Sequence, residues 1–123
     1  MKSNRVHIRL NLWLEKDDAV VFGHGRVQLL KKISELGSLK KAAEELGMSY
    51  RGAWGKIRAT ESVLEDPLIE KISNREGYRL TPLGESMLRQ YEEWHRQVEI
   101  AAAEKAKEIF SFPVLSSFDN ESL

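Results

Sequence analysis

Residues 38–65, SLKKAAEELGMSYRGAWGKIRATESVLE, constrain the chain more than any other stretch. A short amphipathic segment from Leu39 to Leu46 is followed by the break Gly47-Met48-Ser49. A longer helical segment then runs from Tyr50 to about Leu64. Two helices joined by a tight Gly-containing turn make a helix-turn-helix. Ser38 and Ser49 stand at the two N-cap positions, where a hydroxyl accepts an amide that the first turn leaves unpaired. Gly47 follows the first helix, where the chain needs a left-handed residue. Ala42, Ala43 and Leu46 form one stripe of the first helix. Ala53, Ile57, Thr60 and Leu64 form one stripe of the second, at steps of four, three and four. Opposite that stripe lie Arg51, Gly55 and Arg58. Between Ser49 and Ala59 there are three cations, Arg51, Lys56 and Arg58, and no carboxylate. A helix that starts at a serine and carries a cationic outer face suits the major groove of DNA, presenting amides, hydroxyls and arginines to phosphates and base edges. The competing reading is an ordinary helical hairpin with a solvated basic face.

The surroundings of this motif are set by size. The 123 residues amount to one domain, and a lone two-helix motif cannot bury enough apolar surface to fold. The segment from Arg26 to Leu36, with Val27, Leu30, Ile33 and Leu36 recurring every third residue and Leu29 widening the stripe, supplies a third helix to complete the core. Upstream, Val6, Ile8, Leu10, Leu12 and Leu14 alternate with Arg5, His7, Arg9, Asn11 and Trp13. This alternation predicts one strand with a buried face. Glu15-Lys16-Asp17-Asp18 reads as a turn, Ala19–Phe22 as the returning strand of a hairpin, and Gly23-His24-Gly25 as a break.

Downstream, proline excludes helix at the residue before it, so Asp66-Pro67 is a turn. Leu68–Ile72 and Tyr78–Leu80 read as strands around the loop Ser73–Gly77. A small hairpin directly after the candidate recognition helix is a wing. Its Arg75, Tyr78 and Arg79 are suited to phosphates or a minor groove; the plainer alternative is a surface hairpin. Thr81 caps a further helix with Pro82 at its first position, where the missing amide costs nothing. That helix runs about 28 residues, roughly 42 Å, through Leu83, Met87, Tyr91, Trp94, Val98, Ala102 and Ile109. It outreaches so small a core. The stripe Met87, Tyr91, Trp94, Val98, Ala102 and Ile109 is therefore read as a homodimer seam, with folding back over its own domain as the other arrangement. Residues 111–123, without a period, read as a flexible tail, from which Phe112, Val114, Leu115 and Phe118 can still dock. The expected layout is a DNA-binding domain over 1–81, a dimerisation helix over 82–110 and the tail. The fold class is mainly α with small β: a winged helix-turn-helix with an N-terminal β-hairpin and a long C-terminal helix.

Composition excludes several functions. Cysteine is absent, which removes disulfides, thiolate zinc sites and cysteine nucleophiles together and suits a cytoplasmic protein. His7, His24 and His95 lie on separate elements, and two histidines without a third ligand make a poor metal site. No Ser/His/Asp arrangement or Gly-rich phosphate loop is discernible, so no enzyme and no cofactor are expected. No apolar run approaches the ~18 residues of a membrane span, and the N-terminus lacks the apolar block of a signal peptide. The net charge of zero conceals a division: residues 1–81 hold 15 Lys/Arg against 11 Asp/Glu, and residues 82–123 hold 4 against 8. A basic head and an acidic tail suggest that one half meets a polyanion.

In this order, hairpin, helix, helix-turn-helix, wing and long helix resemble the winged helix-turn-helix of LysR-type regulators, and more closely the N-terminal domain of the ModE family of molybdate-responsive regulators. The resemblance is carried by GSLKKAAEELGMSYRGAWGKI from Gly37 and LIEKISNREGYRLTPLGESML from Leu68. Within these, Ser49-Tyr50, Ala53-Trp54 and Ile57 are similar to the ModE run SY-x-x-AW-x-x-I. Leu80-Thr81-Pro82-Leu83-Gly84 is similar to the LT-x-x-G that closes the wing in both families. The resemblance covers residues from about 5 to 110. It implies the DNA-binding and dimerising half of such a regulator. The molybdate-binding domains of ModE lie outside the matched residues, so molybdate sensing is not implied. It places Ser38, Ser49, Tyr50, Arg51, Gly52, Trp54, Gly55, Lys56, Arg58, Arg75, Tyr78 and Arg79 at a DNA surface. Trp54 falls at the edge of the core stripe, leaving it either to face DNA or to pack under the wing. The expected function is a dimeric, sequence-specific transcriptional regulator bound to double-stranded DNA. The alternative is a winged-helix interaction module working with a separate effector-binding chain.

Overall fold

The computed structural model describes residues 5–72 and 77–119. The described residues form two compact units, one within Leu12–Tyr91 and one that joins residues 5–11 to residues 92–119.

The first unit starts with the hairpin of β2 (Trp13–Lys16) and β3 (Ala19–Gly23). Its antiparallel register pairs Lys16 with Ala19, leaving a two-residue loop. Asp17 and Asp18 both have positive φ, 52° and 64°, the backbone that a tight hairpin needs to match the strand twist, and one that Asp tolerates. Helices α1 (His24–Leu36), α2 (Leu39–Glu45) and α3 (Tyr50–Leu64) follow. They pack on one another around fully buried Leu29, Leu30, Ile33, Leu39, Ala42, Ala53 and Ile57. Burying each of the larger side chains contributes about 1.5–3 kcal/mol. Thr60 lies on the same buried face and is satisfied there, its hydroxyl donating to the Val21 carbonyl of β3. The three-helix core thus forms as the apolar periodicity predicts. Leu36, at the end of its stripe, is exposed.

The turn of the motif is built by local hydrogen bonds. Ser38 Oγ accepts the Lys41 amide at 3.1 Å, and Ser49 Oγ accepts the Gly52 amide at 2.9 Å. Gly47 sits at φ 70°. Its amide reaches the Glu44 carbonyl while the Met48 amide reaches that of Ala43, the paired closure that ends a helix on a left-handed glycine. The two serines and the glycine assigned to capping therefore all serve it.

The wing is the antiparallel pair β4 (Ile69–Lys71) and β5 (Tyr78–Leu80), in register Ile69 to Leu80, Glu70 to Arg79 and Lys71 to Tyr78. It is fastened at both ends. The Tyr78 amide donates to the Gly37 carbonyl at 3.0 Å, between α1 and α2. The Thr81 amide donates to the Leu68 carbonyl, and the Thr81 hydroxyl donates to Pro67 O while accepting the Gly84 amide. Gly84 packs so close that a Cβ there would lie 2.2 Å from the Leu68 carbonyl oxygen. The LT-x-x-G sequence is thus the joint between the wing and α4 (Pro82–Ile109).

Tyr91, the last residue of this unit, is buried. Its ring meets Phe22 edge-on at 5.9 Å, and its hydroxyl donates to the Leu12 carbonyl at 2.8 Å. That burial pushes its phenol above the ordinary tyrosine value.

The second unit corrects two expectations. The alternating N-terminal stretch is not one strand. Only Val6–His7 form β1, which pairs in parallel with β6 (Val114–Leu115) rather than continuing into β2. Period-two alternation reports only that side chains take opposite sides, and here Val6 and Leu14 on the apolar side are exposed. Nor are residues 111–119 a free tail. Val114 and Ser116 are buried, the Ile8 amide donates to Leu115 O at 2.8 Å, and Ser117 donates through its amide and hydroxyl to the buried Glu99. Without a helical or strand period of its own, this segment is ordered by pairing with residues over a hundred positions away. Residues 120–123 lie outside the described ones.

Candidate nucleic-acid interface

Helix α3 buries Ala53, Ile57 and Thr60. At 3.6 residues per turn this turns Arg51, Gly55 and Arg58 outward, and all three are exposed. Tyr50, at the first helical position, is 48% exposed. Gly52 is also exposed, with its amide spent on the Ser49 cap. A Cβ at Gly55 would meet nothing within 4 Å, so bare backbone lies open between the two arginines. Lys56 is half-buried at the flank.

Trp54 packs against the wing. It is half-buried, with its ring edge-on to Tyr78 of β5 at 5.4 Å and to Tyr50 at 6.4 Å. The Arg58 guanidinium lies over the indole, 4.6 Å from the ring centroid, and 3.6 Å from a Glu61 carboxylate oxygen. Of the two placements left open for Trp54, packing at the wing is the one adopted.

Arg79 is exposed on the wing and has a partner there: it is cross-strand from Glu70 and bonds to it, Nε to Oε1 at 2.9 Å. A cation already matched by a carboxylate offers less to a polyanion. Arg75 lies outside the described residues.

Sequence reasoning named Ser38, Tyr50 and Tyr78 but missed the lysines that cluster with them. Ser38, Lys40, Lys41, Tyr50, Lys71 and Tyr78 line an open cleft of about 750 Å³ between the start of α2 and the wing. Among the described residues that line it there are three lysines and no carboxylate. The available signal was the Lys40-Lys41 pair in the first turn after the Ser38 cap; Lys71 joins it only through the strand register that sets it opposite Tyr78. Hydroxyls and ammonium groups around a cleft beside an exposed arginine helix form a surface chemically matched to phosphate oxygens.

On α4, the expected dimer stripe is not uniform. Tyr91 points into its own unit, as its hydrogen bond and ring contact show, and is removed from the seam. Met87, Trp94, Val98 and Ala102 are half-buried, and Ile109 is 73% exposed. Among the described residues, no helix is long and apolar enough to cross a membrane.

The order of elements, the capped turn, the wing and its Thr-Gly joint define a winged helix-turn-helix. Residues 25–85 match the bacterial regulatory helix-turn-helix protein family of lysR type, and the chain carries a LysR-type DNA-binding domain. Within that class it is related to ModE: it is 31% identical over 104 residues to the transcriptional regulator ModE of Haemophilus influenzae, covering 82% of this chain and 39% of the relative. It is 36% identical over 72 residues to the molybdenum-pterin-binding protein MopB of Rhodobacter capsulatus, covering 56% of this chain and 27% of the relative. The chain thus spans well under half the length of these relatives. The fold is shared with the DNA-binding domain of BenM solved in complex with catB site 1 DNA, at a TM-score of 0.52 and 20% identity over 72% of this chain and 94% of that one.

Proposed function

We propose that this chain binds double-stranded DNA in a sequence-specific manner as a homodimer and regulates transcription in the cytoplasm. The observation that carries the reading is the exposed face of α3, where Tyr50, Arg51, Gly52, Gly55 and Arg58 present a cationic surface with open backbone at Gly55. In this reading α3 enters the major groove, where Arg51 meets a base edge or phosphate. The lysines of the cleft, with Ser38, Tyr50 and Tyr78, take the adjoining phosphates. Trp54 contributes by holding the wing strand against α3. The stripe Met87, Trp94, Val98, Ala102 and Ile109 of α4 pairs with the same helix of a second chain. A two-fold axis then follows, and half-sites lie about one helical turn apart or a multiple of it.

Selection of bound fragments from sheared genomic DNA tests this. A shared inverted repeat is the expected result. Enrichment of no sequence over the input library would refute sequence-specific binding.

A further inference from the structure

We propose that Trp54 and Glu61 are positioning residues that hold Arg58 ready for the duplex, so that the carboxylate of Glu61 strengthens DNA binding although it is an anion. The inference rests on the reading of α3 as the DNA-facing helix and adds to it the way one of its arginines is prepared.

The geometry is a clamp. Arg58 is 71% exposed, yet its guanidinium lies over one partner and beside another: 4.6 Å from the Trp54 ring centroid and 3.6 Å from Glu61 Oε1. Both partners are themselves fixed to the wing. Trp54 meets Tyr78 of β5 edge-on. Glu61 accepts the Leu68 amide at 2.8 Å just before β4. Neither can move without disturbing the hairpin, so Arg58 is referenced to both wing strands as well as to its own helix.

A long arginine side chain ordinarily loses rotamer freedom when it is captured by a ligand. Here that loss is taken on folding. A guanidinium held over an indole face by cation–π attraction still has N–H groups available, and that fork matches the paired oxygens of a phosphate or the O6/N7 edge of guanine. Glu61 reaches the guanidinium at ion-pair rather than hydrogen-bond distance, orienting the fork without occupying it.

The test sets this against simple electrostatics, in an anisotropy titration of a labelled duplex carrying the selected site, and of its single-base variants, with this chain. Glu61→Gln keeps an acceptor for the Leu68 amide but gives up the charge. Removing a carboxylate beside a DNA-facing arginine should tighten binding if only net charge matters. Positioning predicts the reverse, a loss of about two- to tenfold from the released rotamers. Trp54→Leu should weaken binding to a similar degree, and Trp54→Phe, which keeps an aromatic face, should restore most of it. In an Arg58→Ala background Glu61→Gln should not weaken binding further, and Trp54→Leu should keep only the smaller part of its loss that comes from its contact with Tyr78 of the wing. A salt slope lowered by about 0.9 in Arg58→Ala assigns the contact to a phosphate; a slope unchanged with specificity relaxed at one position assigns it to a base. Binding by Glu61→Gln as tight as the parent's, or an undiminished loss in the Arg58→Ala background, overturns the proposal while leaving DNA binding standing. A parent that binds no duplex overturns both.

Discussion

Replacing Gly84 with alanine sets two local effects against each other. Gly84 lies in the first turn of α4, and a helical glycine costs up to about 1 kcal/mol relative to alanine, so backbone propensity alone predicts stabilisation. The packing predicts the opposite. The new Cβ would sit 2.2 Å from Leu68 O and 3.2 Å from Leu68 C. That carbonyl cannot simply retreat, because it accepts the Thr81 amide at 2.9 Å and so closes the joint between wing and helix. Forcing atoms into a filled site costs about 1–3 kcal/mol, occasionally more. The expected net effect of Gly84→Ala is a loss of roughly 1–2 kcal/mol after the propensity gain. Gly55→Ala is the matched control, since its Cβ meets nothing within 4 Å; it should gain up to about 1 kcal/mol. Urea unfolding followed by far-UV circular dichroism reads both. Equal stabilisation of the two variants would refute the close approach of α4 to Leu68, and with it the account of the LT-x-x-G joint.

Arg51→Ala should leave unfolding unchanged and cost about 1–3 kcal/mol of DNA affinity with specificity relaxed at one position, if it reads a base; quantitative binding to a site and its single-base variants checks this. Lys71→Ala should lower the slope of log K against log salt by about 0.9, and Arg79→Ala by less, since Glu70 already pairs with Arg79; equal slopes in both would contradict the difference. Trp94→Glu with Val98→Glu should give monomers in sedimentation, with helical content kept and binding to the selected site weakened; a parent that sediments as a monomer would remove the seam. Tyr91 is held neutral in the folded chain and ionises more readily unfolded. Its contribution is therefore complete below the ordinary tyrosine value of about 10 and is lost as pH rises through the higher folded value. The stability difference between the parent and Tyr91→Phe should shrink with pH over that range, as followed by urea titrations.

The parts of the fold legible in the sequence are those decided by near neighbours. A cap needs only its own hydroxyl and an amide three residues on, and Ser38, Ser49 and Gly47 were readable for that reason. So were the buried faces of α1, α2 and α3, because apolar side chains at helical spacing have one side to go to. The wing strands followed from the proline turn and the Thr81-Pro82 helix start. What escaped reading depends on distant partners. The pairing of Val6 with Val114 joins opposite ends of the chain, and nothing in either segment names the other. Tyr91 has the right spacing for an outward seam, yet Phe22 and the Leu12 carbonyl draw it inward. On the candidate interface, the α3 face was legible from its charge and period. The match of Arg79 to Glu70 and the cleft lysines required the strand register, which fixes neighbours that sequence spacing leaves undefined.

The central claim is that DNA meets the face made by α3, the start of α2 and the wing. Amide chemical-shift mapping during titration with the selected duplex tests it most directly. The account predicts that the largest changes fall on Ser38–Lys41, Ser49–Arg58 and the strand residues Lys71 and Tyr78. Changes centred instead on Ile109–Phe118, with α3 silent, would contradict it.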